Sequence, residues 1–113
     1  MAFDAITPTR FGSGELAISP ALTTIRTTPV HARDLLKTID VANNGAGAAS
    51  VAVYLVPSGG SADSSNLLVP SVSIPKNSIL QWTGTQVMNE GATIQANSTI
   101  ADVTLSASGG EAV

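Results

Sequence analysis

The run Val103-Thr104-Leu105-Ser106-Ala107 alternates strictly between apolar and small polar residues. Alternation with a period of two puts Val103, Leu105 and Ala107 on one side of an extended chain and Thr104 and Ser106 on the other, as in a half-buried β-strand. A second run, Ser50-Val51-Ala52-Val53-Tyr54-Leu55-Val56, places Val51, Val53 and Leu55 on one face. Its other face carries Ala52, Tyr54 and Val56, so a strand covered on both sides is expected.

Similar runs recur along the chain at Leu22–Thr28, Leu35–Ala42, Val72–Ile74, Ser78–Thr83 and Thr93–Ala96. In Leu35–Ala42, strict alternation groups Leu35, Ile39 and Val41 against Leu36, Thr38 and Asp40. Turn-forming residues separate the runs: Asn43-Asn44-Gly45, Ser58-Gly59-Gly60-Ser61 and Asn89-Glu90-Gly91. Asn and Gly tolerate the positive φ that tight turns need. The prolines Pro8, Pro20, Pro29, Pro57, Pro70 and Pro75 fall at the ends of runs, where a missing ladder donor does no harm. The pairs Gly59-Gly60 and Gly109-Gly110 read as turns, since neither is followed by the lysine or helix of a phosphate loop.

About 7–8 short antiparallel strands with regular turns predict an all-β, two-sheet β-sandwich or jelly roll. Its core is expected at Leu35, Ile39, Val53, Leu55, Leu80, Trp82, Ile94, Val103 and Leu105. The 113 residues suffice for one domain. Residues 1–20 are less patterned, with Gly12-Ser13-Gly14 at their centre. They read either as an extended N-terminal arm against a neighbouring subunit or as an edge strand, beside a sandwich domain at residues 21–113.

Charged residues make up only 12% of the chain, about half the usual share, while 43% are hydrophobic. That composition argues against disorder and leaves surface for a partner or further copies to cover. The basic residues Arg10, Arg26, Arg33, Lys37 and Lys76 are scattered, so no nucleic-acid patch is expected. The chain has no cysteine, which excludes disulfides and thiolate metal sites and leans toward a reducing compartment. Met1-Ala2-Phe3-Asp4 does not open a signal peptide, and Val51–Val56 is too short to span a bilayer, so no membrane association is expected.

Candidates for chemistry are few. His31 is the single histidine, with Asp34 three residues on, but no Gly-x-Ser-x-Gly turn presents a nucleophile. The carboxylates Asp4, Glu15, Asp34, Asp40, Asp63, Glu90, Asp102 and Glu111 are spread singly, without the spacing of a calcium loop. Asn97-Ser98-Thr99 fits the N-glycosylation pattern and reads as a loop. Neither catalysis nor a cofactor or metal is expected. Trp82 and Tyr54 are read as core anchors. Phe3 and Phe11, in the unpatterned segment, are better placed for a contact between subunits. Phe3, Ile6, Phe11 and Leu16 are the expected interface residues.

The second half has a distinctive cadence. Tyr54-Leu55-Val56-Pro57-Ser58-Gly59-Gly60-Ser61-Ala62 leads through Asn66-Leu67-Leu68 to Ile74-Pro75-Lys76-Asn77. Gln81-Trp82-Thr83-Gly84 and Val87-Met88-Asn89-Glu90-Gly91-Ala92-Thr93-Ile94-Gln95-Ala96 follow, and Val103-Thr104-Leu105-Ser106-Ala107-Ser108-Gly109-Gly110-Glu111 closes it. Over most of the chain, and most strongly from about residue 35 to the end, this resembles the small virion structural proteins of tailed bacteriophages. The resemblance implies a β-sandwich or jelly roll that forms a homo-oligomer, often a trimer, on a particle assembled in bacterial cytoplasm. It transfers no catalytic residue. The leading expectation is a capsid decoration (cement) protein that bridges major capsid subunits. A tail, baseplate or neck component and a carbohydrate-binding adhesion module are the alternatives.

Overall fold

The alternating run at Val103 is the start of a strand that ties the molecule together. The protein, seen in a computed structural model, is described over residues 6–112. Its strands in chain order are β1 (Ile6–Glu15), β2 (Ala17–Ile18), β3 (Thr23–Thr27), β4 (Arg33–Asn43), β5 (Ala49–Val56), β6 (Leu67–Ile74), β7 (Ile79–Met88), β8 (Thr93–Ser98) and β9 (Val103–Ala112). A short 3₁₀ turn at Ser64–Asn66 precedes β6.

The antiparallel pairs are nested: β5 with β6, β4 with β7, β3 with β8, and β1 with β9. The chain is thus one long hairpin whose tip is the 57–66 loop. Further pairing of β9 with β4 and β8 with β5 rolls that hairpin into two sheets. One has the order β1-β9-β4-β7; in the other β8, β5 and β6 follow one another, with β3 and the short β2 along the free side of β8. This is the jelly-roll connectivity, and the expected fold class holds. The two-residue β2 runs parallel to β8, a departure from the all-antiparallel expectation.

The N-terminal segment, open between arm and edge strand, folds back on its own domain as β1. The chain then crosses sheets: Leu16 donates to the Val103 carbonyl (2.8 Å), and Ala17 pairs with Asn97 in the opposite sheet. Gly12 permits β3 to approach β1 closely, because a Cβ there would press on the Ile25 carbonyl oxygen at 2.7 Å.

The inner faces meet over Leu36, Ile39, Val41, Val51, Val53, Ile94, Val103 and Leu105, all fully buried. Leu55, Leu80 and Trp82 border this cluster and are only partly buried. Leu35 does not take its expected place. Leu36 pairs with Gly109 and Thr38 with Ser108, so Lys37 has no opposite number in β9. This β-bulge shifts the phase of the alternation. Asp34 and Leu36 point inward before it, Ile39 and Val41 after it, and Leu35 turns outward.

The bulge also explains Gly109, which with Gly110 lies inside β9 rather than in a turn. A Cβ on Gly109 would collide with the Leu35 carbonyl oxygen, and one on Gly110 with Ile6 Cγ2. Pro8 and Pro70 likewise lie inside strands, β1 and β6. Both are edge strands, where one side of the backbone needs no donor.

Candidate functional site

His31 sits exposed in the β3–β4 connection with φ of 64°, and its backbone N–H donates to Glu90 Oε2 at 2.8 Å. The carboxylate three residues later is committed elsewhere. Asp34 is completely buried and accepts from Arg26 Nε (2.8 Å), Arg26 Nη2 (2.9 Å) and Thr28 Oγ1 (2.9 Å). Arg26 Nη2 also donates to Glu111 Oε2 at 2.8 Å, and its guanidinium lies 4.9 Å from the centre of the Phe11 ring. The hydrogen bond to Asp34 is the main cause that raises the Arg26 pKa above its ordinary value, against the opposing effect of burial.

This cluster joins β3 of one sheet to β1, β4 and β9 of the other. Every oxygen of Asp34 is used in holding Arg26 and Thr28, so the group is a clamp between sheets. Its members are 8 and 85 residues apart in sequence, and no local pattern announces them. No cluster of three or more metal-binding side chains occurs among the described residues.

What remains is surface. Of the expected interface residues, Phe3 lies outside the described residues. Phe11 and Leu16 are 6% and 2% exposed, because β1 lays them on the chain's own core. Their side chains are not available to a neighbour. Ile6 is 54% exposed and remains a contact candidate.

Ile6 belongs to an apolar strip on the outer face of the β1-β9-β4-β7 sheet. Register places Pro8, Gly110, Leu35 and Val87 in one row across all four strands. Pro8 and Val87 are exposed, Leu35 is half-buried, and Ile6 lies beside Gly110. Ile6, Pro8, Leu35, Lys37 and the glycine pair line a shallow depression of about 240 Å³. Farther along the same face, the rows Thr104–Ala42–Ile79 and Ser106–Asp40–Gln81 border a broader one of about 620 Å³. On this face β9 contributes only small side chains, Thr104, Ser106, Ser108, Gly110 and Ala112. Asp40 and Lys37 are the ionisable groups in these two depressions. Sequence reading missed this strip, since its members come from four strands and Leu35 reaches it only through the bulge.

Fold and surface together define a jelly-roll domain with a broad sheet face, on which an apolar row lies among charged side chains, and a buried clamp. Comparison with solved structures agrees at the level of fold. A chain in the crystal structure of the T13 particle of infectious bursal disease virus superposes with a TM-score of 0.51 at 9% identity, over 96% of this chain. A chain of the Gx strain of infectious bursal disease virus gives 0.48 at 12% identity, again over 96%. The present chain spans about 30% of the length of either. No protein-family model and no curated protein matches the sequence.

Proposed function

We propose that this chain is a virion structural protein, and specifically a capsid decoration (cement) subunit of a tailed bacteriophage. The observation that carries the reading is the complete jelly-roll connectivity, supported by the fold-level superposition on part of a chain of a viral particle. The sequence cadence from residue 35 onward adds the resemblance to small phage virion proteins. The broad outer face of the β1-β9-β4-β7 sheet gives the mechanism its surface. Covering Ile6, Pro8, Leu35 and Val87 removes apolar area from water, and the charged side chains that flank the row, such as Arg10 and Lys37, supply a polar rim. A standard stable interface buries about 800 Å² per partner, which a four-stranded face can supply. Repetition of such a contact over a capsid lattice, with subunits grouped as homotrimers, multiplies a modest affinity into firm attachment. The role needs no catalytic residue and no cofactor.

Immunogold labelling of purified particles with an antibody to this chain tests the reading. Label over the head faces is the expected result. Label confined to tail or neck replaces the decoration role with a tail component, and unlabelled particles overturn the virion assignment.

A further inference from the structure

Each sheet ends in a strand whose outer backbone could accept another strand, and most of these edges are blunted. Strand β1 carries Pro8, a bulge at Phe11 and the charges Arg10 and Glu15. Strand β6 carries Pro70, Ser71 at φ 43° and two register shifts against β5. Along β8, β2 has two residues, and β3 is five long with a bulge and Arg26. Proline, charge, bulges and brevity are the usual devices that keep an edge from pairing with a further strand.

Strand β7 is different. It is ten residues long, Ile79-Leu80-Gln81-Trp82-Thr83-Gly84-Thr85-Gln86-Val87-Met88, with no proline and no ionisable side chain. No described strand pairs with its outer side. Ile79 is 71% exposed, and Leu80 and Trp82 are only partly buried. Gln81 turns its side chain back across the sheet to Asp40 (2.9 Å), so it leaves the backbone edge uncovered.

The geometry points to this edge as a two-fold seam with a second copy of the chain, β7 pairing antiparallel with β7 of its partner about Gln81. The free run is bounded at both ends. Asn77, at φ 60°, closes it on one side. On the other, Leu36 pairs with Gln86 and Thr38 with Thr83, so Gly84 and Thr85 both stand against Lys37 as a bulge. A regular stretch from Ile79 to Thr83 remains, and its midpoint is Gln81. Antiparallel pairing about that residue sets Leu80 opposite the partner's Trp82 and the reverse, so each partly buried side chain gains an apolar cross-strand neighbour. Ile79 faces Thr83, and no charge is brought against another. A sequence that is its own complement about a central residue fits a second copy, because a two-fold contact presents the same patch from both sides. The seam joins the two four-stranded sheets into one of eight. It is independent of the decoration role, and in a trimeric assembly it would link one trimer to the next.

The absence of native cysteine makes the test direct. Directly opposed residues of an antiparallel pair lie within the Cα separation that a disulfide spans. A Gln81→Cys variant should be trapped as a covalent pair under mild oxidation at least ~10-fold faster than Ser61→Cys, which sits in an exposed loop, because the seam raises the local thiol concentration. The double variant Ile79→Lys/Gln81→Lys places like charges across the seam and should lower the assembly mass in sedimentation, to half where the assembly is a dimer and to that of one trimer where the seam links trimers. Its circular dichroism and melting temperature should stay close to those of the parent. Equal trapping at positions 81 and 61, preferential trapping at Thr83→Cys, or an unchanged mass in the folded lysine variant would each overturn the seam.

Discussion

Gly109 shows how much one atom decides. The β4 bulge pushes the Leu35 carbonyl toward β9, and only a residue without a side chain fits beneath it. Gly109→Ala should destabilise the fold by about 1–3 kcal/mol, the range for forced overpacking, as read by urea denaturation. Gly47→Ala has open space around it and should stay within ~0.5 kcal/mol of the parent. Asp34 makes a comparable argument about charge. Asp34→Asn removes the fully buried one of the two carboxylates that face Arg26 and leaves the guanidinium, 16% exposed, with Glu111 alone, so a loss of about 1.5–3 kcal/mol, the range for charged hydrogen bonds, is expected. Asp63 works at the surface. Its carboxylate accepts from the Ser65 hydroxyl and then from the Ser65 backbone N–H, and both lower its pKa from the ordinary 3.8. A lowered carboxylate pKa means the cap contributes fully above the ordinary value and is lost as pH falls through the lower folded one. The Ser65 amide resonance, followed by NMR, should therefore titrate below the ordinary aspartate range.

At the scale of elements, β1 is where sequence and structure part most instructively. Its glycines and weak alternation suggested an arm as readily as an edge strand. Pairing with β9 brings Phe11 under the Arg26 guanidinium and Leu16 into the core. Phe11→Ala should therefore cost about 3–5 kcal/mol of folding stability, the range for removing a buried aromatic, measured by thermal or chemical denaturation. If Phe11 made its contacts with a neighbour instead, the variant would lose assembly and keep its stability. Strand β4 teaches the complementary lesson. A pattern of two residues per repeat assigns Leu35 and Ile39 to one face only if the strand is regular, and a bulge at Lys37 breaks that condition. Strands β5, β8 and β9 were legible because their inward residues are consecutive alternates without such a break up to Ala107.

The whole molecule is organised by its most distant partners. The first long strand pairs with the last, and β9 sits in the middle of its sheet. Most stabilising contacts therefore close large loops, and folding should be slow for so short a chain. Refolding from urea, followed by Trp82 fluorescence, is expected on a scale of roughly milliseconds to seconds, as for other topologies rich in non-local strand pairing. For the same reason a chain cut before Val103 loses both β9 ladders at once and should not give a cooperative unfolding transition.

By itself the sequence determined the all-β class, the main turns and much of the inner core. It could do so because alternation, turn chemistry and composition are local properties that read the same in any fold. Tertiary structure decided the rest. The nested strand order, the bulge that exchanges Leu35 for Leu36, the clearance that demands Gly109, and the Arg26–Asp34–Glu111 clamp all depend on residues far apart in the chain. So does the difference between the blunted edges and β7. An edge exists only once the sheet has an order, and that order is set by which strands meet.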